Sequence, residues 1–253
     1  MSTTGAIRFA RYAFPPNSLH YCGPEGGSVL LEYADARTAD AGLVELAADF
    51  EAAWPYLELI AGESGIGDPL DDRVVDAYWL GNEILVRIDR TRFAHSLQGR
   101  FGARPGWSPD RILPALPAGA MPNHSFHVFG VYPWVGLLRG GSDQPLRILD
   151  RCRIRSGVVE AVQDDSARVR YQPLCWDGKR LGFGDRRVET VTITQGGYSL
   201  AGPLSRGDIV AMHWDWVCER ITGEEARRIE RWTASQLQVV NGLTAPGPAA
   251  AFG

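Results

Sequence analysis

The sequence predicts an α+β protein, in which a mainly helical N-terminal domain with aromatic and Pro-rich loops, residues 1–140, precedes a small β-barrel with a C-terminal helix, residues 145–241. Apolar residues recur at three- and four-residue spacing between about residues 40 and 97, which is typical of amphipathic helices. Short alternating apolar runs, separated by turn sequences, follow the pair Gly140–Gly141. The glycine pair marks the predicted boundary, and 253 residues are enough for two domains of ordinary size.

The composition of the chain argues against some classes of function. The chain is 45% hydrophobic and 22% charged, which is ordinary for a folded protein, and its net charge of −4 offers no electrostatic basis for binding nucleic acid. The sequence contains neither an apolar run of about 18 residues nor a basic start followed by an apolar core. We therefore expect a cytoplasmic protein that does not bind membranes. Its four cysteines, far apart in sequence, are expected to be reduced thiols or ligands rather than disulfides.

The N-terminal domain offers the first candidate ligand. Residues 8–27 combine aromatic side chains with Pro15, Pro16, Pro24 and several glycines, a composition that favours an ordered irregular loop. Cys22 lies in this stretch. It is either a buried small apolar residue or a metal ligand or nucleophile, since free cysteines are commonly buried while a reactive thiol needs a positive, partly open setting.

Two histidines occur in the most aromatic stretch of the chain, NHSFHVFGVYPWVGLLRGG. His124 and His127 are three residues apart, so they share a face only if the segment is helical. On a strand they would point to opposite sides. Two interpretations stay open: a metal site built on both histidines, or structural histidines in an aromatic core.

The C-terminal segment 207–241 is predicted as a strand, a turn carrying His213 and a capped helix. Thr222 precedes the helical pattern and Glu225 follows three residues later, which is the spacing of a capping box. The predicted apolar face of the helix consists of Ala226, Ile229, Thr233, Leu237 and Val240. The Ala-, Gly- and Pro-rich residues 242–253 are expected to form a flexible tail.

Two stretches together resemble the HypC/HupF family of NiFe-hydrogenase maturation chaperones, which are small OB-like β-barrels with a C-terminal helix. The first is CRIRSGVVEAVQDDSARVRY, where Cys152 matches the family's cysteine and Gly157 its glycine. The second is GDIVAMHWDWVCERITGEEA, where the Gly-Asp pair at 207–208 and His213 match. The resemblance covers about residues 150–241. The chain departs from the family pattern because its cysteine is internal and Ser156 replaces the proline before the glycine.

The resemblance implies that Cys152 and His213 meet at one rim of the barrel and bind iron carrying cyanide and carbon monoxide, for delivery to a hydrogenase large subunit or to other maturation proteins. A thiolate and an imidazole are suitable ligands for such an iron. Trp214 and Trp216, which replace small residues of the family, would flank the site as a wall for partner docking.

Three functional hypotheses follow. The first is the maturation chaperone, a metal carrier rather than an enzyme. The second is a metalloenzyme whose N-terminal domain uses His124, His127 and Cys22 to make or deliver a ligand of the iron centre. The third is an assembly protein without metal, in which Cys152 and His213 merely pack inside the barrel.

Overall fold

The computed structural model describes residues 3–101, 113–132 and 134–244. The chain is a mixed α/β protein, as predicted, and the strands of the described part all lie between residues 155 and 220. Its longer helices are α1 (Thr3–Ser18), α2 (Ser28–Ala36), α3 (Ala41–Ala48), α4 (Trp54–Ser64), α5 (Asp72–Trp79), α6 (Arg90–Phe101), α7 (Gln144–Cys152) and α8 (Gly223–Thr244). Short helical turns cover Glu83–Arg87, Leu113–Ala115, His124–Phe126, His127–Val131, Trp134–Leu137 and Leu138–Gly140.

Two predictions for local structure were wrong. Residues 8–18, expected to be a loop, form most of α1, although Pro15 and Pro16 in its last turn have no N–H to donate to the carbonyls four residues earlier. Residues 144–152, expected to begin the barrel, form α7, which has a proline at its N-terminus, where the missing N–H is tolerated. Cys152 therefore ends a helix and does not open a strand.

The strands are β1 (Arg155–Gln163), β2 (Ser166–Tyr171), β3 (Leu174–Trp176), β4 (Leu181–Phe183), β5 (Arg187–Thr192), β6 (Ile209–His213) and β7 (Trp216–Arg220). Five of them close into a barrel in the order β1-β2-β5-β7-β6, while β3 and β4 form a separate hairpin. In β2, buried residues alternate with exposed or half-buried ones, so Ala167, Val169 and Tyr171 fill the barrel interior.

Strand β6 is buried on both faces. Val210 and Met212 belong to the barrel interior, whereas Ala211 belongs to the larger cluster that the N-terminal helices form. Because side chains alternate along a strand, His213 lies on the same outer face as Ala211. This face is covered by α1, which packs against β6 and β7. The division of the chain near residues 140–145 stays a prediction, although one hydrophobic cluster includes residues from both sides of it.

The predicted capping box of α8 is confirmed. The Thr222 hydroxyl accepts a hydrogen bond from the Glu225 amide (3.2 Å), and the Glu225 carboxylate accepts one from the Thr222 amide (2.7 Å). The helix packs against β1, β4 and β6 and also against N-terminal segments. Residues 242–244 continue α8, and the rest of the predicted tail lies outside the described residues.

A partly buried ion network ties α1 to the strands and to α8. Arg8 contacts Glu219 of β7 (3.1 Å) and Asp76 of α5 (3.3 Å), and Asp76 also contacts Arg228 of α8 (2.6 Å). Burial alone would lower the pKa of Arg8, but Glu219 and the neighbouring acidic groups raise it above its ordinary value. These contacts hold α1 in register against β6 and β7.

Among the described residues, no helix combines the length and the apolar composition that crossing a bilayer requires.

Candidate metal centre

Three side chains from three separate parts of the chain converge at one point. His124 begins the short helical turn after Asn123, Cys152 ends α7, and His213 ends β6. One potential ligand atom from each residue lies within 4.8 Å of the other two. Both histidines are buried and the cysteine is half-buried. The structure thus brings together Cys152 and His213, the two residues that the sequence paired, and adds His124 to them.

Two hydrogen bonds position the three residues relative to one another. The Trp214 amide, directly after His213, donates to the carbonyl oxygen of Arg151, directly before Cys152 (2.7 Å). His124 Nε2 donates to the carbonyl oxygen of Cys152 (2.7 Å). The end of α7 is therefore joined on one side to the β6–β7 turn and on the other side to the His124 turn.

Backbone carbonyls determine which imidazole nitrogens are available as ligands. His213 Nδ1 donates to the carbonyl oxygen of Tyr12 (2.7 Å), so in the neutral ring Nε2 carries the free lone pair. This Nε2 is buried and has no hydrogen-bond partner among the described residues. His124 donates through Nε2, so its Nδ1 carries the lone pair and is 3.5 Å from the Tyr78 hydroxyl. His213 has the arrangement usual in metal-binding histidines, in which one nitrogen binds a carbonyl and the other is free for the metal, whereas His124 Nδ1 would have to exchange the Tyr78 hydroxyl for the metal.

Burial keeps the three groups in their uncharged forms. It lowers the pKa of His124 to about 4 and that of His213 well below its ordinary value, with the neighbouring His124 adding to the second shift. Burial also raises the pKa of the Cys152 thiol, as does the proximity of Cys22, while the Trp214 indole opposes this rise. Without a cation the site is therefore neutral, and a bound metal ion would favour the thiolate.

The turn that follows His213 is strained and firmly held. Trp214 has φ +52°, in the left-handed region that bulky residues rarely adopt. Its amide binds the end of α7, its carbonyl accepts from the Arg155 guanidinium, and its ring stacks on Tyr21 at 4.3 Å between centroids. A strained backbone of this kind persists only where several surrounding contacts fix the residue, and it is common at functional sites.

The junction between α7 and β1 is also rigid. Asp150 is buried and accepts hydrogen bonds from Arg153 (3.0 Å), the Tyr171 hydroxyl (3.1 Å) and the Leu174 amide (2.9 Å). This carboxylate links α7 to two strands two residues before Cys152. The position of the thiol is therefore set by a satisfied buried network and not by a loop.

A cavity of about 210 Å³ adjoins the three ligands. His124, Cys152 and His213 line it, and its wall is largely aromatic: Tyr21, Phe50, Tyr78, Trp79, Tyr132 and Trp214. Trp79 packs against both imidazoles, with ring centroids 4.7 Å from His124 and 5.7 Å from His213. None of the described residues that line the cavity is Asp, Glu, Lys, Arg or Met.

The predicted secondary site does not form as a separate cluster among the described residues. His124 joins Cys152 and His213, whereas His127 lies elsewhere on the cavity wall, with Nδ1 3.2 Å from the Tyr56 hydroxyl. Cys22 also lines the cavity but is outside the three-ligand group, and burial raises the pKa of its thiol to about 12. The sequence spacing of His124 and His127 suggested a pair, but the ring of His124 is directed to α7.

The prediction that Trp214 and Trp216 form a docking wall is wrong, because both rings are buried within this chain. They are 4% and 7% exposed. Trp214 stacks on Tyr21, and Trp216 makes an edge contact with Phe14 of α1, with centroids 5.1 Å apart. The site is likewise interior and not an open rim, since α1 and the aromatic segment around His124 cover the end of the barrel.

Sequence reasoning missed the carbonyl of Tyr12 and the rings of Tyr78 and Trp79. Tyr12 holds His213 across 201 residues of sequence, and Tyr78 and Trp79 contact His124. No local pattern identifies such long-range contacts.

The chain belongs to DUF6390, a family of unknown function, whose pattern it matches over residues 1–246. This match covers the helical and the barrel segments alike. No curated protein and no solved structure shows significant similarity to the chain. The HypC/HupF resemblance therefore has no support from these comparisons and stays a hypothesis.

Proposed function

We propose that this protein binds one transition-metal ion through His124, Cys152 and His213 and leaves a coordination position open toward the cavity. The observation that carries the proposal is the convergence of three ligand atoms within 4.8 Å in a buried, uncharged setting. Ligands bonded at ~2.0–2.3 Å to one tetrahedral ion lie about 3.3–3.8 Å apart. The three residues need to close by only about 1 Å, which side-chain rotation can supply.

The donor set favours a soft or borderline metal. One thiolate and two imidazoles suit zinc, copper or iron, whereas magnesium and calcium prefer oxygen ligands. Three protein ligands are also the usual number at metal sites that keep a position for an exogenous ligand. The cavity supports an open position, because its described lining has no carboxylate or thioether and its other potential ligands, Cys22 and His127, are outside the three-ligand group.

The HypC/HupF resemblance specifies one version of this function, in which the metal is a cargo iron carrying cyanide and carbon monoxide. The proximity of Cys152 and His213 is consistent with that version, as are the barrel and its C-terminal helix. An uncharged aromatic cavity also suits small diatomic ligands. In this version the hydrogenase large subunit or another maturation protein receives the iron, and the barrel is OB-like.

The depth of the site favours a second version, a metalloenzyme with a resident metal. His124 comes from the segment before the barrel, and the site lies beneath α1 and an aromatic wall. A cargo would have to leave through this wall, whereas a resident ion would only have to admit a small molecule. In this version the enzyme would produce a ligand for an iron centre.

Metal analysis of protein purified without oxygen, combined with infrared spectroscopy, separates these versions. Bound iron with cyanide and carbonyl bands would support the carrier, and a stoichiometric metal without such bands would support the enzyme. Protein that binds no Fe, Zn, Co or Cu ion with a stoichiometry near one would contradict the proposed function.

Ligand variants test the assignment of residues. We expect Cys152→Ser, His124→Gln and His213→Gln each to lower metal affinity by at least tenfold, because each leaves only two strong ligands. The matched controls are Cys175→Ser and His95→Gln, whose side chains are outside the three-ligand group. A control that loses affinity to the same extent as the ligand variants would refute the assignment.

A further inference from the structure

The cavity beside the three ligands is larger than a metal ion needs. A cavity of about 150 Å³ lined by aliphatic and aromatic side chains can hold one benzene molecule. The cavity in this chain is about 210 Å³ and has a wall of aromatic rings. It therefore has space for a single ring with one small substituent.

The lining restricts the charge of any occupant. No Asp, Glu, Lys or Arg is present among the described residues of the wall. A carboxylate or an ammonium group placed there would lose its hydration without gaining an ionic partner. A neutral molecule would not have this cost of losing the hydration of a charge.

Two indole N–H groups of the wall lack an oxygen or nitrogen acceptor among the described residues. Trp79 is 5% exposed and Trp214 is 4% exposed, and the indole N–H of each has no hydrogen-bond acceptor of good geometry in the described part of the chain. The Trp214 indole lies beside the Cys152 thiol, whose sulfur is a weak acceptor. Buried donors are normally satisfied, so an unpaired Trp79 N–H, together with a Trp214 N–H that has a weak sulfur acceptor beside it, indicates a missing acceptor on this wall.

We propose that the cavity binds a small, uncharged, single-ring molecule that carries a hydrogen-bond acceptor such as a carbonyl or amide oxygen. The rings of the wall would stack on the occupant, and the indole N–H groups would donate to its acceptor. This inference extends the proposed function. It depends on that function in one point only, namely that the bound molecule would lie next to the open coordination position of the metal.

Benzamide and benzoate provide a matched test, because they have the same number of heavy atoms and differ in charge. Their binding is measured by saturation-transfer NMR on chelator-treated full-length protein and again on protein loaded with Zn²⁺. We expect saturable binding of benzamide to both forms, and binding of benzoate to the metal-free form at least tenfold weaker. Toluene, which has no acceptor, serves as the third probe.

Two variants localise the binding. Ala52 lines the cavity and is half-buried, whereas Ala48 is exposed and does not line it. We expect Ala52→Phe to abolish benzamide binding and Ala48→Phe to leave it unchanged. Trp79→Phe should weaken benzamide binding about fivefold and leave toluene binding within about twofold, since it removes one hydrogen bond and keeps an aromatic ring.

Absence of saturable benzamide binding would overturn the inference. So would benzoate binding as tightly as benzamide to the metal-free form, or Ala52→Phe binding benzamide as well as Ala48→Phe does. Because the probes are tested on metal-free protein, loss of the proposed metal site would not affect this result. If the protein binds metal but not benzamide, this inference is wrong and the proposed function stands. If it binds benzamide but not metal, the proposed function is wrong and this inference stands.

Discussion

Asp76→Asn is a direct test of the ion network that holds α1 against the barrel. The Asp76 carboxylate accepts hydrogen bonds from Arg228 (2.6 and 3.0 Å), Arg8 (3.3 Å) and Asn82 (2.9 Å). Removing one member of a buried ion pair destabilises a protein by about 3–5 kcal/mol. The side chains here are 10–18% exposed, and Glu219 remains beside Arg8, so we expect a loss of about 2 kcal/mol.

The assay is thermal and urea unfolding of the two proteins side by side. For a chain of this length, a loss of about 2 kcal/mol corresponds to a decrease in Tm of about 4–8 °C. The control is Asp71→Asn, which makes the same change of charge at an exposed ion pair with Arg73, where asparagine can still cap α5. The control should change stability by no more than about 0.5 kcal/mol.

The same variant reports on the candidate metal centre. Arg8 is one helical turn from Tyr12 on α1, and the Tyr12 carbonyl holds His213 while its hydroxyl donates to Glu219 (3.1 Å). Loosening α1 should therefore lower metal affinity as well as stability. Equal unfolding midpoints for Asp76→Asn and Asp71→Asn would refute the structural role that we assign to the network.

Three further predictions concern the cap, a close contact and the metal. Thr222→Ala should lower the free energy of unfolding by about 1 kcal/mol through loss of the N-cap, and Thr38→Ala, at an exposed site, should be nearly neutral in the same urea titration. Gly81→Ala should destabilise by more than about 2 kcal/mol, since its φ is +79° and an added Cβ would lie 2.2 Å from an indole carbon. Gly178→Ala, with φ +92° and open space around it, should lose only about 1 kcal/mol, and equal losses would argue against the clash. Zn²⁺ at about 100 times its Kd should raise the free energy of unfolding by about 2.7 kcal/mol, and the same rise in Cys152→Ser would contradict the site.

Local sequence patterns predicted those features that depend on local interactions. The capping box at Thr222 and Glu225 was predicted because its hydrogen bonds span three residues. The strands after residue 155 were predicted because alternation of apolar residues follows from the geometry of a pleated strand. The helices between residues 40 and 97 were predicted on the same basis, from the helical repeat.

The wrong predictions arose where a local preference was ambiguous or was overridden. Pro15 and Pro16 suggested a loop, but α1 contains both in its last turn and goes without the two hydrogen bonds that their N–H groups would donate. Residues 144–152 alternate well enough to suggest a strand, yet the helix that forms buries Ile148 and Leu149 and directs Asp150 into its polar network. The choice between the two conformations depended on tertiary contacts.

The sequence predicted two of the three candidate ligands, and it missed the third for a similar reason. Cys152 and His213 were paired through a family resemblance, whereas the third ligand depends on one hydrogen bond from His124 to the carbonyl of Cys152. The spacing of His124 and His127 favoured a different pair, because spacing describes a helix face and not the partner that the helix meets.

The position of the site has a consequence for how the two parts of the chain depend on each other. The barrel side supplies Cys152 and His213, while the helical part supplies His124 and, through Tyr12, the carbonyl that orients His213. A single ion bound by all three ligands would therefore cross-link the two parts and stabilise their contact as well as each ligand. The barrel by itself would retain two ligands, which is too few for a tight site of this type. It would also expose the outer face of β6 and β7 that α1 covers. On this argument the N-terminal helices are part of the proposed metal site and not an addition to a self-sufficient metal-binding barrel.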